Sequence, residues 1–386
     1  MSDVGISSIA GYLPRLRLSK KTVSSANSWL APNLVGKGKG TRSMANWDED
    51  SVTMAVEAVR RILGGDDDRS HVDTLFFAST TMPFVDRLNS GIMRAALTLE
   101  EETQCVDISS TLKSGTSALI QAIDKVKSGN SNYSIVSAAD KRKTRSASSQ
   151  ELDFGDGSVA IAVDTKNLIA KYINSSSLSI DFVDHFRGPG EEFDYNWEER
   201  WVRDEGYLKI VPKAIKDLFT KANISGSDID HFILPSVFPR VDQMISKKCD
   251  INPENVAGNL AQSVGDTGSA HSLLMFASVL EKAKPGEKIL ICGFGGGSDV
   301  LLFEATDNIK NFKPQQTIEN LLETGVEENN YMKFLTFNDT VKWERGMRGE
   351  QDRKTALTTL YRHNDAIMGL VGGKCSKTGT IQYPAS

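Results

Sequence analysis

The stretch VDISSTLKSGTSAL, residues 106–119, has the pattern of a strand that runs into the N-terminus of a helix. Such a turn suits a nucleophile, because the helix dipole and the free N–H groups of the first helical turn stabilise an anion. Ser110 and Thr111 offer hydroxyl groups there, although such hydroxyls more often cap a helix or satisfy backbone groups. Leu112, at the turn itself, is apolar and can attack nothing.

A second polar turn, VGDTGSA, contains Asp266 and precedes a helix in which His271 lies one turn from the start. One hypothesis is that His271 and Asp266 form an acid–base pair. The favoured alternative for His271 is a packed helix residue, and Asp266 could equally well cap the helix.

The cysteines predict neither a disulfide framework nor a metal site, because Cys105, Cys249, Cys292 and Cys375 are scattered and form no complete metal motif. Cys105 and Cys292 fall within apolar strand patterns, so we interpret both as ordinary core residues.

The segment DHFRGPGEEFDYNWEERWVRDEGYLK, residues 184–209, mixes aromatic and charged residues and is typical of a substrate loop or an insertion at a dimer edge. Tyr195 and Tyr207 are candidate general acids within it. Partly exposed structural tyrosines are the favoured alternative for both.

Composition excludes several classes of protein. The 386-residue chain carries a net charge of −5, which argues against a broad nucleic-acid-binding face. No apolar run approaches the length of a membrane span, and in the N-terminal segment the charges follow the apolar part, unlike a signal peptide. We expect a soluble cytoplasmic protein that binds neither nucleic acid nor a membrane.

Two parts of the chain repeat one pattern of elements. A helical pattern at 51–63 precedes a buried strand at 72–79, and a similar helical pattern at 207–222 precedes a strand at 229–236. In each copy a small-residue turn, a helix, a strand and a Gly-rich turn then follow. Two generic αβ units are the alternative to true duplication. Duplication predicts an α/β fold with five layers, α-β-α-β-α, in which two similar halves enclose the two small-residue helices.

Three motifs in order resemble the thiolase superfamily, specifically its branch of 3-hydroxy-3-methylglutaryl-CoA (HMG-CoA) synthases and 3-ketoacyl-acyl-carrier-protein synthase III. The resemblance covers about residues 4–306. The motifs are GISSIAGYLPRLRLSK, FGDGSVAIAV and the long VGDTGSAHSLLMFASVLEKAKPGEKILICGFGGG.

The resemblance implies a catalytic cysteine with histidine, asparagine and, in the synthases, glutamate. The cysteine position falls on Leu112, the asparagine on Asp266 and the glutamate on Thr80. The histidine position falls on Ser236, or within a couple of positions of it. All of these positions depart from the family, so the turn at Leu112 has lost its thiolate.

The resemblance also supplies the candidate site. An Asp266–Ser236 pair could transfer protons, and the Gly-rich loop after the last strand would let backbone approach the substrate. The catalytic candidates are Asp266, Ser236 and His271, and the substrate-binding candidates are Leu112, Thr80, Gly295, Gly296 and Gly297.

The implied function is carbon–carbon bond formation or cleavage on acyl-CoA or a related thioester, as an acyltransferase-type synthase or as a cysteine-independent aldolase. Coenzyme A (CoA) would be part of the substrate, with no tightly bound cofactor. A non-catalytic acyl-CoA-binding or scaffold subunit is the alternative, and an ordinary synthase with a different residue mapping is the third. The resemblance implies a homodimer joined near NYSIVSAA, or a heteromer with a thiolase-like or OB-fold partner.

The chain divides into three predicted parts: an N-terminal half at 1–183, the insertion with the C-terminal half at 184–309, and a tail at 310–386. The end of the tail resembles the start of a zinc-ribbon and OB-fold domain. It keeps Cys375 but has Thr378 in place of the second cysteine, so it cannot hold a four-ligand zinc site. We expect a degenerate or shortened domain that lies as an extended arm across the body or a partner.

Overall fold

The structure is a computed structural model that describes residues 3–65, 68–342, 344 and 355–384. Within these residues the strands are β1 Gly5–Tyr12, β2 Leu16–Ser19, β3 Thr41–Met44, β4 Thr74–Ala78, β5 Gln104–Ile108, β6 Ser134–Asp140, β7 Gly157–Asp164, β8 Ala170–Ser179, β9 His185–Phe186, β10 Tyr195–Asn196, β11 His231–Ile233, β12 Lys288–Phe294, β13 Gly297–Ala305, β14 Val326–Glu328, β15 Gly373–Lys374 and β16 Ile381–Gln382.

The helices of the same residues are α1 Lys20–Asn27, α2 Ser51–Leu63, α3 Asn89–Ala96, α4 Ser114–Lys127, α5 Gln150–Asp153, α6 Glu199–Trp201, α7 Leu208–Ala222, α8 Val241–Lys248, α9 Ala261–Val264, α10 His271–Leu280, α11 Ile318–Glu323, α12 Tyr331–Phe337, α13 Leu357–Arg362 and α14 Asn364–Ile367. A π-helical turn, Val202–Tyr207, joins α6 to α7.

The strand order shows the duplication. In the described chain the large sheet has the order β11-β12-β13-β8-β1-β7-β6-β4-β5. The series β1-β7-β6-β4 and β8-β13-β12-β11 have the same pattern, two antiparallel pairings followed by a parallel one. A single parallel bridge, Phe232–Val256, stands where β4 pairs with β5 in the first half. The predicted α/β fold with two duplicated halves is confirmed.

The two halves of the sheet meet at one short junction. Only Gly5–Lys171 and Ile6–Ala170 pair β1 with β8 among the described residues. The two sheet layers of the expected five-layer order are therefore parts of one sheet, because these backbone bonds join them at one edge.

The small-residue helices form the central layer. Leu119 of α4 and Leu273 of α10 are fully buried, in one core cluster with Ile9 of the first half-sheet and Ile291 of the second. The helices approach closely, because a Cβ added to Gly115 of α4 would lie 2.3 Å from the carbonyl oxygen of Ser269.

Two outer layers complete the five. Val59 of α2 packs with Leu75 of β4 in a second cluster, on the outer side of the first half. Ile215 of α7 packs with Leu302 of β13 in a third, on the outer side of the second half. The amphipathic helices thus cover the faces of the sheet that the central helices leave open, as the alternation of apolar positions predicts.

The expected dimer strand, NYSIVSAA, is an interior strand. It falls on β6, which pairs with β4 on one side and β7 on the other and is buried throughout. Because both of its edges are already hydrogen-bonded, a second copy cannot pair with it. The prediction of an interface along this strand is wrong, and β5 is the edge strand of this half.

The first part of the tail is not an extended arm. Strand β14 adds in parallel to β2, and α12 buries Phe334 and Leu335 against Leu18 and Met44. The hydroxyl of Tyr331 donates to Glu151 at 2.8 Å, which ties α12 to the N-terminal half. Residues 355–384 form α13, α14 and the β15–β16 hairpin, with many exposed side chains. None of the described helices combines the length and apolar character that a membrane span requires.

Candidate active site

A cavity of about 310 Å³ lies where the two halves and the insertion meet. Both halves contribute to its wall, and the insertion covers it. The lining residues on which its chemistry depends are Leu112, Arg142, Asp153, Asp184, His185, Tyr207, Ser236, Asp266 and Phe294.

The turn before α4 forms one wall of the cavity through Leu112. Ser110 has a φ of +79°, so the chain reverses sharply between β5 and the helix. The Thr111 hydroxyl donates to the carbonyl oxygen of Gly295 at 2.6 Å. The Leu112 N–H donates to none of the described residues. That N–H group, just before the N-terminus of α4, can donate to a developing oxyanion.

The Gly-rich loop packs directly behind this turn. A Cβ on Gly295 would lie 2.6 Å from the Thr111 hydroxyl oxygen, and one on Gly297 would lie 1.9 Å from the carbonyl oxygen of Leu178. Both residues, like Gly296, have positive φ, so side chains are excluded by conformation and, at these two, by space. The loop supports the turn, whereas the residues before it, Gly293 and Phe294, line the cavity itself.

Asp266 forms an ion pair across the halves. Its carboxylate lies 3.0 Å from the guanidinium of Arg142, whose side chain is 2% exposed and stacks over the Phe154 ring. Burial by itself raises the pKa of Asp266, but the charge and hydrogen bond of Arg142 and the hydrogen bond from the Gly268 N–H outweigh it, and the net pKa is lowered. Asp266 is therefore an ionised partner of Arg142 rather than a free acid.

His271 is a satisfied core residue. Its Nδ1 accepts from the N–H of Thr267 at 3.1 Å, and its Nε2 lies 3.1 Å from the amide oxygen of Asn259. Burial lowers its pKa, so the ring is neutral. It lies 3.9 Å from Asp266 but is not among the cavity lining. Because both ring nitrogens of His271 are hydrogen-bonded, neither is available to exchange a proton with a substrate.

Ser236 and Thr80 occupy different positions relative to the cavity. Ser236 lines it, and its hydroxyl oxygen accepts from the N–H of Phe238 at 3.0 Å. Thr80 does not line it; its hydroxyl donates to Asp140 at 3.0 Å. The structure thus brings Leu112, Ser236 and Asp266 together, and leaves Thr80 outside the wall.

Sequence reasoning missed a hydrogen-bonded His–Asp pair in the cavity lining, His185 and Asp184. The Nδ1 of His185 donates to the Asp184 carboxylate at 2.8 Å. The Asp184–His185 dipeptide at the start of the insertion was visible in the sequence, but no spacing in the sequence indicated that it lies at the cavity.

The two insertion tyrosines differ in position. Tyr207 lines the cavity, and its hydroxyl donates to the carbonyl oxygen of Pro235 at 3.3 Å. Burial, with the charges of Asp266 and Asp184, raises its pKa strongly, so it stays protonated. Tyr195 is 57% exposed, packs against Phe186 and does not line the cavity.

The four cysteines all lie within the described chain, and none of them lines the cavity. Burial raises the pKa of Cys105 and Cys292, and that of Cys249 to about 11. The arrangement can therefore polarise a carbonyl and move a proton, but it presents no thiolate.

Comparison with known proteins agrees with the fold. The sequence profile of the C-terminal domain of 3-oxoacyl-[acyl-carrier-protein] synthase III matches residues 219–301. Hydroxymethylglutaryl-CoA synthase of Caldivirga maquilingensis is 28% identical over 351 residues, which is 89% of this chain and 99% of the relative. The synthase of Pyrobaculum calidifontis is 28% identical over 356 residues, with the same coverage of both chains.

Solved structures show the same fold at lower sequence identity. An HMG-CoA synthase complexed with CoA superposes with a TM-score of 0.78 at 17% identity, covering 92% of this chain and 95% of that one. The 3-oxoacyl-(acyl carrier protein) synthase III of Pseudomonas aeruginosa gives 0.69 at 18% identity, over 79% and 98%. In sequence and in fold the chain is therefore similar to the thiolase-like branch that contains the HMG-CoA synthases and ketoacyl synthase III.

Proposed function

We propose that this protein binds an acyl thioester of coenzyme A in the cavity and makes or breaks a carbon–carbon bond without a covalent acyl-enzyme. The observation that carries the proposal is Leu112, an apolar side chain at the turn, in a cavity that keeps acid–base groups. The relatives named as HMG-CoA synthases and the neighbour complexed with CoA support the substrate class.

The chemistry requires polarisation of a thioester carbonyl. The Leu112 N–H is available for this, and the Arg142 guanidinium lines the same space. Preorganised donors of this kind stabilise an enolate or an alkoxide without any thiolate. Aldol addition and its reversal need only such donors and a proton carrier, so they suit the cavity better than acyl transfer through an enzyme thioester.

A non-catalytic subunit is the second candidate, and the loss of the cysteine at Leu112 favours it equally. The two functions differ in one measurable property. A catalyst that polarises the thioester accelerates exchange of its α-hydrogens with solvent, whereas a subunit that merely holds the thioester leaves them unchanged.

The test combines binding, exchange and mass. Acetyl-CoA binding is measured by calorimetry, α-hydrogen exchange in D₂O by NMR, and acylation by intact-protein mass. We expect binding, enzyme-dependent exchange and no added mass. Binding without exchange would establish the scaffold function, and an acetyl adduct would establish covalent synthase chemistry.

A cavity-filling variant locates the binding. Leu112→Trp should weaken acetyl-CoA affinity about tenfold or more, because the indole occupies the space of the acyl group. Val85→Trp is the matched control, since Val85 is fully exposed and outside the cavity. Equal affinities for the two variants would place the binding elsewhere.

A further inference from the structure

The insertion holds an imidazole over the cavity on a fixed support. His185 lies on β9, which pairs with β10 through Phe186–Tyr195 and His185–Asn196. The next residue but one, Arg187, donates to the Asp194 carboxylate at 2.6 Å and also to the carbonyl oxygen of Thr80. The bond to Asp194 stays within the insertion, and the bond to Thr80 attaches the ribbon to the N-terminal half, so the ring has a defined place in the wall.

The two nitrogens of His185 have different environments. Because the Asp184 carboxylate only accepts hydrogen bonds, the Nδ1 at 2.8 Å from it carries the proton. The Nε2 then holds the lone pair, and none of the described residues hydrogen-bonds to it. An imidazole oriented by a carboxylate, with its other nitrogen free in a cavity, has the arrangement of a general base.

The charged groups that face the ring favour this function. Asp184 and Asp194 are negative, and Arg142 is positive. Burial lowers the pKa of His185, but the Asp184 hydrogen bond and the two carboxylate charges outweigh burial and Arg142, so the net pKa lies above its ordinary value of 6.5. The neutral ring is thus a stronger base than free imidazole.

Other groups near the cavity are committed elsewhere. Asp266 pairs with Arg142, and Asp153 lies 3.2 Å from the ammonium group of Lys37. Tyr207 is held protonated, and the Ser236 hydroxyl is bonded to the Phe238 backbone. This leaves the His185 Nε2 as the uncommitted proton acceptor among these side chains.

We propose that His185 is the general base of this site and that Asp184 is its positioning residue, so that the insertion supplies the proton carrier missing at Ser236 and Thr80. The inference rests on the proposed function.

The Nε2 lone pair takes an α-proton from the acyl thioester, and the C–H electron pair forms an enolate whose charge lies on the thioester oxygen. The enolate carbon attacks a second carbonyl, whose π electrons become an alkoxide. The imidazolium returns the proton to that alkoxide, which yields a β-hydroxyacyl thioester with no net redox change.

The experiment measures α-hydrogen exchange of acetyl-CoA in D₂O together with acetyl-CoA affinity. His185→Gln should slow exchange at least about 100-fold, the usual contribution of a general base, with affinity changed less than about threefold. His231→Gln is the matched control, because His231 also pairs with a carboxylate, Glu287 at 2.9 Å, but does not line the cavity. It should exchange at the wild-type rate.

Two further readouts separate catalysis from structure. Added imidazole should restore exchange in His185→Ala, since the cavity can admit the free base. The wild-type rate should rise with pH to a midpoint above 6.5, and Asp184→Asn should move that midpoint downward.

The outcomes distinguish this inference from the proposed function. If acetyl-CoA does not bind the wild type, the proposed function fails and the inference fails with it. If the wild type exchanges α-hydrogens and His185→Gln exchanges equally fast, the function stands and His185 is not the base. Lost exchange with weakened affinity and no rescue by imidazole would also overturn the inference, because it would make the role of His185 structural.

Discussion

The Arg142 guanidinium lies 3.0 Å from the Asp266 carboxylate and joins the two halves of the chain at the cavity wall. Arg142 follows β6 of the first half, and Asp266 precedes α10 of the second. A second bond, 2.7 Å from the guanidinium to the carbonyl oxygen of Asp266, fixes the backbone of the same turn. The pair therefore orients the wall as well as setting its charge.

Removal of Arg142 should destabilise the protein strongly. Arg142→Met leaves the mostly buried Asp266 carboxylate without its cation, and the loss of one partner of such a pair costs about 3–5 kcal/mol. The free energy of unfolding in urea measures this. Arg145→Met is the control, because Arg145 is exposed and should change stability by less than about 0.5 kcal/mol. Equal stability of the two variants would contradict the assigned pair.

His271 should make stability depend on pH. Its pKa is lowered in the folded protein, so the unfolded chain binds a proton more readily. The contribution of the neutral ring is present above the ordinary value of 6.5 and is lost as the pH falls through the lowered folded value. From about pH 7.5 to about pH 5.5, wild-type stability should therefore fall more steeply than that of His271→Gln.

The control for that slope is His71→Gln, at an exposed position. It should lose stability on acidification as the wild type does. Parallel pH profiles for wild type and His271→Gln would show that His271 is not held neutral by burial.

A thiol at the turn should regain limited reactivity. In Leu112→Cys the sulfur lies next to the N-terminus of α4, which lowers a thiol pKa from about 8.5 toward about 7. Incubation with acetyl-CoA should add one acetyl group to a fraction of this variant and none to Leu112→Ala, as seen by intact mass. Peptide mapping that located an acetyl group on Cys105, Ser110 or Thr111 of the wild type would instead show that the turn has another nucleophile.

The contact between the central helices should tolerate no methyl group. In Gly115→Ala the Cβ would meet the Ser269 carbonyl oxygen at 2.3 Å, so α4 and α10 must move apart. Overpacking of this kind costs about 1–3 kcal/mol. Gly258→Ala is the matched control, because nothing lies within 4 Å of its Cβ position. Thermal unfolding should lower Tm for the first variant alone.

The layers could be predicted from the chain because they depend on local patterns. Which faces are buried is indicated by two local patterns. These are the 3.6-residue period of 51–63 and 207–222 and the apolar runs at 72–79 and 229–236. The small residues that start α4 and α10 report their close contact in the central layer. Strand neighbours are less local, so nothing in the sequence indicated that NYSIVSAA, where the resemblance implied a dimer contact, lies between β4 and β7.

The residue types alone also determined that Leu112 itself is no nucleophile, since an apolar side chain cannot attack in any conformation. Which groups surround it was decided by tertiary structure. His185 reaches the cavity because Arg187 anchors the β9–β10 ribbon to Thr80, far away in the sequence. Asp266 is ionised because folding brings Arg142 to it, and His271 is neutral because folding buries it. A pKa and a free nitrogen depend on neighbours and solvent, and those neighbours come from distant parts of the chain.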